Sequence, residues 1–546
     1  MSAHTDLNLP RWQVRMLEVI PGLLSWGFLI GIFVLSIVSV EAASYVIVGY
    51  AMLWLFKIFG YSHRLVRGYS LMRVLQDFDW NARLKDLKNP NKALDALHKE
   101  LESTKQKAAL LNYKKVLLKA RDNSQILDPK DVVHAVIVPT YNEDGAITEA
   151  TIESILKNNY DTKKILLVIA YEERGPQHVH KSSQAIVKKY KSRFLDAWAV
   201  IHPDGMPGEA KAKAGNINYA GRKVAAWAAD NKIEAENVIV TTLDADNRPA
   251  PTYFAYLTYI YCISEDRVKK SYQPMALFFN NIWDAPAMTR VIATNNSFWL
   301  LMEAMRPQRL RNFSSHAQSL QALKDTNFWN EKSIVEDGHQ YWRTYFTYDG
   351  KYSVVPLYTA IYQDAVLAKT TRKTFSEQFK QIQRWAWGTS DTPYVMVKMY
   401  RSRVIPWHEK FVKLFRQIEG YFSWATAPIV LAFAGFLPLL FSPDSGTSIV
   451  AVQLPTLVSR VQTIALIGLL GPIIATMLAL PPRPKRVPLT RRISMYLQWV
   501  LIPVTMIGFG SIPALNAQTR LMFGKYLESF AVTDKFRKDK PTDQKF

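Results

Sequence analysis

Four short groups of polar residues in this 546-residue chain have types and spacings suited to chemistry on a phosphorylated substrate. Asp244-Ala245-Asp246 follows an apolar run, and alternate positions on an extended turn direct two carboxylates into one space. Magnesium and manganese take oxygen ligands and bind through one or two carboxylates plus substrate phosphates, so the pair suits a cation bridging a diphosphate. A turn acid is the plainer alternative. Glu336-Asp337 ends another apolar step in front of an aromatic-rich helix, where a carboxylate either takes the proton of an attacking hydroxyl or caps the helix. Gln381, Arg384 and Trp385 stand at i, i+3 and i+4 on one face of a helix that Thr374 and Glu377 are placed to open as a capping box. An amide, a planar cation and an indole can together hold a phosphate and stack on a sugar ring; alternatively Trp385 and Trp387 lie at a membrane surface. Lys211 and Lys213, ahead of Ala214-Gly215-Asn216-Ile217-Asn218, either face phosphate from a loop entering a helix or sit on the surface.

The elements that must position these groups are legible around them. Short β-branched runs at Val132–Val138, Ile165–Ala170, Trp198–Ile201 and Val238–Leu243 alternate with helical patterns near Ile147–Asn158, Val179–Lys191 and Gly215–Ala229. That alternation predicts a doubly wound, largely parallel sheet, in which ligands gather beyond the carboxyl ends of the strands. The residues found there are polar: Pro139-Thr140-Tyr141-Asn142-Glu143, Tyr171-Glu172-Glu173-Arg174 and Asp244-Ala245-Asp246. From Asn81 to Arg121 the chain is Lys-rich, with Leu84, Leu87, Leu94, Leu97 and Leu101 at helical spacing. This reads as a solvated helix packed on the soluble domain by one leucine stripe.

The ends of the chain have a different composition. Uncharged stretches run Ile20–Val40, Ala42–Phe56, Tyr421–Pro443, Val461–Pro482 and Ile493–Thr519, most of them near or above the roughly 20 residues a membrane core requires. The first two read as an uncleaved helical hairpin. The formal charge of +22 does not point to nucleic acid, because the basic residues crowd beside the spans: Arg64, Arg67 and Arg73, then Arg403, Lys410 and Arg416, then Arg483 and Arg492. Beside spans, positive charge marks the cytoplasmic side. The segment from Phe441 to Ser459 carries only Asp444 and is assigned outside, so the middle domain and the amino terminus are assigned to the cytosol. Pro503, Gly508, Gly510 and Pro513 interrupt the last stretch, and a re-entrant path there would return the tail with Lys535, Arg537 and Lys538 to the same side. The single cysteine, Cys262, excludes an internal disulfide and any multi-cysteine metal site. The expected organisation is a transmembrane hairpin (1–62), a basic linker (63–130), the α/β domain (131–370), interfacial helices (371–420), a transmembrane region (421–519) and a basic tail (520–546).

Taken in order, Val138-Pro139-Thr140-Tyr141-Asn142-Glu143, Lys213-Ala214-Gly215-Asn216-Ile217-Asn218, Asp244-Ala245-Asp246, Val335-Glu336-Asp337 and Gln381-Ile382-Gln383-Arg384-Trp385 resemble the membrane-bound family 2 glycosyltransferases, the group of cellulose, hyaluronan and chitin synthases. The resemblance spans roughly Val132 to Gly388. It implies a GT-A-type, Rossmann-like α/β domain inserted between α-helical transmembrane segments, and an inverting single displacement from a nucleotide-sugar donor. On that resemblance Thr140, Tyr141 and Glu143 line the nucleotide pocket, while Asp244 and Asp246 bind the donor diphosphate through Mg2+ or Mn2+. Asp337, beside Glu336, is the general base, and Gln381, Arg384 and Trp385 hold the pyrophosphate and the acceptor end. The chain departs from the pattern after the second strand, where Glu172 or Glu173 stands for an aspartate. It departs again at the acceptor helix, whose nearest counterparts are Asn295-Asn296-Ser297-Phe298-Trp299 and Phe313-Ser314-Ser315-His316.

Three functions are compatible with these features. The leading expectation is a processive synthase passing a polysaccharide through its own spans. A transferase adding one sugar to a lipid-linked acceptor needs the same acidic set, and a non-catalytic transporter or scaffold binding nucleotide-sugar needs only part of it.

Overall fold

The computed structural model describes residues 7–103, 116–122, 126–441 and 448–527. Asp444, Lys535, Arg537 and Lys538, on which part of the expected topology rests, lie outside the described residues.

Two long helices, α1 (Arg11–Val38) and α2 (Val40–Gln76), are separated by extended Ser39, whose side chain accepts from the Ala42 amide and starts the second helix. They form the expected hairpin: Ile32 packs with Ala43 and Ile47. α2 continues unbroken past residue 62 to Gln76. The leucine stripe then packs on the α/β domain as expected, with Leu84, Leu87, Leu94 and Leu97 buried in one core with helix Tyr253–Ile263 and sheet residues. It does so from two helices rather than one, Trp80–Lys88 and Pro90–Ser103, because Pro90 cannot continue the first. The side chain of Leu101 lies outside the described residues.

The α/β domain carries eight strands: β1 (Val133–Thr140), β2 (Ile165–Glu172), β3 (Asp196–His202), β4 (Val238–Thr242), β5 (Arg248–Pro249), β6 (Lys270–Leu277), β7 (His316–Ser319) and β8 (Ser353–Tyr362). Their order in one sheet is β3-β2-β1-β4-β7-β6-β8-β5. The first four are mutually parallel, while β4–β7, β6–β7 and β5–β8 pair antiparallel. All eight residues of β2 are buried, as a parallel strand covered on both faces demands. Helices α3 (Gly145–Leu156), α4 (Gln177–Tyr190) and α5 (Lys213–Asp230) make the crossovers, matching the pattern read from sequence within two residues at every boundary. Chain order reverses between β1 and β4, so the loops after these two strands open a crevice between them. The fold class is therefore the expected one: a mixed α/β domain between helices long and apolar enough to cross a membrane.

Beyond the parallel half, α6 (Ala287–Ala304) lies against α2 and β6, α7 (Glu336–Thr347) starts at the second acidic pair, and α8 (Thr371–Ala386) carries the Gln-x-x-Arg-Trp group. The expected capping box is corrected here. Thr370 is the N-cap, accepting from the Lys373 amide, and Thr374 sits a turn inside, its hydroxyl bonded to the Thr370 carbonyl. Further on, α9 (Trp407–Phe433) and α10 (Ile449–Leu466) join α1 and α2 in one apolar bundle through Val430, Leu454 and Val458. By length and composition five helical runs can cross a membrane: Arg11–Val38, Val40–Gln76, Trp407–Phe441, Ile449–Ala479 and Leu489–Met522. The last is kinked, with a π-turn at Ile507–Ser511 between Pro503 and Pro513. Both of its ends are held on the α/β side. Arg491 donates to the Ala285 carbonyl (2.9 Å) at the start, and at the finish Arg15, near the beginning of α1, donates to the carbonyls of Leu521 (2.9 Å) and Met522 (2.7 Å).

Candidate active site

β1 and β4 deliver their following loops into the crevice. After β1, Glu143 folds back on its own loop and accepts from the Thr140 hydroxyl (3.0 Å) and the Tyr141 amide (2.8 Å). Its carboxylate thus shapes the loop that presents Thr140 and Tyr141. After β2, Glu172 is buried and pairs with Arg174, whose guanidinium lies over the Tyr141 ring at 5.0 Å. Glu173 turns away to accept from the Asp204 amide, so of the two glutamates it is Glu172 that faces the cavity.

After β4 the Asp244–Asp246 turn is pinned on three sides. The Thr151 hydroxyl donates to the Ala245 carbonyl (2.7 Å), Asn280 to the Asp246 carbonyl (2.9 Å), and the Asp364 amide to Asp246 Oδ2 (3.0 Å). Asp244 reaches the other way. Its Oδ1 meets Lys213 Nζ at 3.0 Å, and the same ammonium meets Glu336 Oε1 at 2.6 Å. Lys213 opens α5, so the expectation that it faces phosphate is modified: in this state it bridges two carboxylates instead. Lys211 also reaches the cavity wall but is exposed. Burial alone would lower the Lys213 pKa, yet Asp244 and Glu336 outweigh it and hold it above its ordinary value.

Glu336 and Asp337 form the first turn of α7, where negative charge is favoured by the helix dipole, but neither is its N-cap. Asp337 accepts from the Ser314 amide (2.6 Å) and the Gly338 amide (2.7 Å). Burial raises the pKa of both carboxyls against the opposing pull of Lys213. For a proton acceptor that direction is useful, since a carboxylate with a raised pKa is a stronger base. From α8, Arg384 stands in the field of Glu336, Asp244 and Asp337, its pKa held below the guanidinium norm by burial. Trp385 lies 5.9 Å from the Phe278 ring on the cavity wall, whereas Trp387, just past the end of the helix, is buried among Ala425, Ala514 and Leu515. The two indoles are therefore not a matched interfacial pair.

One cavity of about 1920 Å3 is lined by Thr140, Tyr141, Glu143, Glu172, Lys213 and Asp244, together with Asp246, Glu336, Asp337, Gln381, Arg384 and Trp385, whereas Glu173 and Trp387 lie outside it. Two residues outside that set knit it together. Ser314, at φ 51°, gives its amide to Asp337 and its hydroxyl to Asp244 Oδ2 (3.2 Å), and Gln363 donates to the Ser314 hydroxyl (2.9 Å). A left-handed non-glycine residue costs on the order of 1 kcal/mol or more, and the bonds to both acids hold it there. Nothing in Phe313-Ser314-Ser315-His316 beyond its small residues signals that role.

Among the described residues no group of three or more His, Cys, Asp and Glu side chains forms a metal cage. The cavity offers instead two carboxylates from one turn, Asp244 and Asp246. Such a hard-oxygen pair fits Mg2+ or Mn2+ when phosphate oxygens complete the shell.

No family model and no curated protein matches the chain. Among solved structures it is similar to a mannosyltransferase from Pyrobaculum calidifontis in complex with GDP-Man and Mn2+, at 16% identity over 79% of this chain and 100% of that one, with a TM-score of 0.43. It is similar to S. aureus TarS 1–349, at 13% identity over 63% and 90% (TM-score 0.32), and to GalNAc-T7 with UDP, GalNAc and Mn2+, at 11% identity over 55% and 58% (TM-score 0.31). At such identities and TM-scores these likenesses are too distant to assign an activity to this chain.

Proposed function

We propose that this protein is an inverting glycosyltransferase that moves a sugar from a nucleotide-sugar donor to an acceptor hydroxyl at the cytosolic face of a membrane. The observation that carries the reading is the convergence of the acidic side chains Asp244, Asp246 and Asp337, the bridging Lys213 and the Gln-x-x-Arg-Trp face around one cavity.

On this reading Thr140 and Tyr141 hold the nucleoside, with Glu172 and Arg174 beside them. A divalent cation bound by Asp244 and Asp246 would neutralise the donor diphosphate. Arg384 adds fixed positive charge where the leaving oxygens collect electrons. Asp337, oriented by the Ser314 and Gly338 amides, takes the proton of the acceptor hydroxyl as its oxygen bonds to the anomeric carbon. The carbon–oxygen bond to the diphosphate breaks in the same displacement, and its electron pair leaves with the nucleoside diphosphate. Trp385 and Gln381 support the acceptor, so positioning contributes beside electrostatics.

The last apolar run, tied at both ends to the α/β side, supports a re-entrant path that leaves the tail in the cytosol. Processive elongation and single addition to a lipid-borne acceptor share this chemistry, and the apolar side of the cavity, lined by Leu53, Phe56 and Leu466 from the long helices, favours the second. Purified protein incubated with a panel of nucleotide-sugars and Mg2+ or Mn2+ should release nucleoside diphosphate from one or a few of them. A ladder of products would establish elongation and a single product one addition. Absence of hydrolysis and transfer with every donor would promote the non-catalytic reading.

A further inference from the structure

The cavity is about twice the roughly 1,000 Å3 upper range of ordinary small-molecule sites, so a donor does not fill it. Away from the acidic end its wall changes character twice. First comes a basic belt: Arg64 from α2, Arg306 and Arg309 at the end of α6, and Arg416 from α9. Among the described residues the two carboxylates of this belt are already taken, Glu303 by Arg306 and Glu419 by Lys57 (2.6 Å). The Nε–H groups of Arg64 and Arg306 are buried without a partner. Arg64, Arg309 and Arg416 form no ion pair among the described residues, and a multivalent oxyanion answers several guanidiniums at once.

Beyond the belt lies an apolar flank formed by α2, α9 and α10. Leu53, Phe56 and Leu466 line it and are nevertheless 48%, 70% and 60% exposed, so this side of the cavity opens laterally where the helices would meet lipid. Apart from the Trp54 indole N–H, which has no partner among the described residues, the polar side chains here are engaged within the protein. Gln462 donates to the Leu431 carbonyl, Thr463 to the Ser459 carbonyl (2.8 Å) and Ser423 to Glu419 (2.8 Å). A hydrated glycan would find few hydrogen-bond partners here, whereas an acyl or isoprenoid chain requires none.

We infer that the acceptor is a lipid phosphate or diphosphate carrying a hydroxyl beyond the phosphate: its tail lies on the α2–α10 flank, its phosphate in the arginine belt and its hydroxyl toward Asp337. The inference rests on the transferase reading above and names the acceptor class of that site.

The test uses the full chain in phosphatidylcholine nanodiscs, doped either with a polyprenyl phosphate or with the matching polyprenol. Retained lipid is counted by mass spectrometry, and donor binding is measured on the same samples. The phosphate form should be retained at least roughly tenfold better than the alcohol. Arg64→Gln/Arg416→Gln should lose that preference, and the charge-keeping Arg64→Lys/Arg416→Lys should retain much of it. Equal retention of phosphate and alcohol would overturn the inference. So would an undiminished preference in a folded Gln double variant, or displacement of the lipid by inorganic phosphate or a soluble acidic oligosaccharide at comparable concentrations. Failure of lipid selectivity with donor binding intact rejects the acceptor class alone, whereas absent donor binding rejects the transferase reading itself.

Discussion

Replacing Lys213 by Gln should destabilise the cation-free protein far more than an ordinary substitution near a cleft. Lys213 Nζ lies 2.6 Å from Glu336 and 3.0 Å from Asp244, and only 15% of its side chain is exposed. With an effective dielectric of about 20, each contact represents roughly 6 kcal/mol of gross Coulomb attraction, most of it cancelled by the cost of removing the charges from water. What remains after deleting one partner of such a cluster is about 3–5 kcal/mol, because Asp244, Glu336 and Asp337 are left facing one another with only Arg384 to offset their charge. A divalent ion at Asp244 and Asp246 restores positive charge to that end of the cluster. At a hundredfold excess over Kd, ion binding returns about 2.7 kcal/mol, and the gain should be larger in the variant, where no ammonium competes for Asp244. The assay is chemical or thermal unfolding of detergent-purified protein, wild type against Lys213→Gln, in EDTA and in Mn2+. Two results would refute the reasoning: a cation-free variant within about 1 kcal/mol of wild type, or a large deficit that Mn2+ leaves untouched.

Other substitutions probe separate parts of the account. Asp246→Asn should weaken Mn2+-dependent donor binding at least roughly tenfold while sparing cation-independent nucleotide binding, measurable by calorimetry with and without EDTA. Trp385→Ala, which removes the ring beside Phe278, should raise acceptor KM roughly three- to tenfold with donor KM little changed in steady-state kinetics. His134 in β1 is fully buried and donates to or accepts from the Thr258 hydroxyl at 2.8 Å; burial, aided by Lys164, pushes its pKa down to about 3. Because the folded value is depressed, the unfolded chain takes up a proton first as pH falls below about 6.5. Stability should then drop by about 1.4 kcal/mol per pH unit until about pH 3. His134→Gln should flatten that slope in acid-unfolding curves, and an unchanged slope would show that other groups set it.

The parallel half of the domain was readable because burial on both faces writes itself as continuous apolar runs: Ile165–Ala170 became β2 with all its residues covered. The antiparallel half carries weaker marks. β5 has two residues, and β7 is the polar sequence His316–Ser319, buried by its neighbours rather than by its own hydrophobicity. The acidic site residues that line the cavity were legible because each follows a recognisable strand or opens a helix. Ser314 was not, since its function depends on a left-handed backbone that brings one amide and one hydroxyl to acids separated by 93 positions in the chain, Asp244 and Asp337. Thr374 was misplaced for a related reason: with Thr370 and Thr374 one helical turn apart, either hydroxyl suits a cap, and only the fold selects the first. The basic residues beside the spans were read as cytoplasmic markers. That two of them, Arg64 and Arg416, line the cavity is a property of helix rotation, which a count of charges does not contain.

The most direct test of the central claim compares wild type with Asp337→Asn in reconstituted vesicles supplied with the donor that wild type hydrolyses. Loss of the base should reduce sugar transfer by roughly 10²- to 10⁴-fold. Nucleotide-sugar binding should persist, because Asn keeps an acceptor oxygen for one of the two amides that hold residue 337. Transfer at the wild-type rate by a folded Asp337→Asn protein would contradict the account.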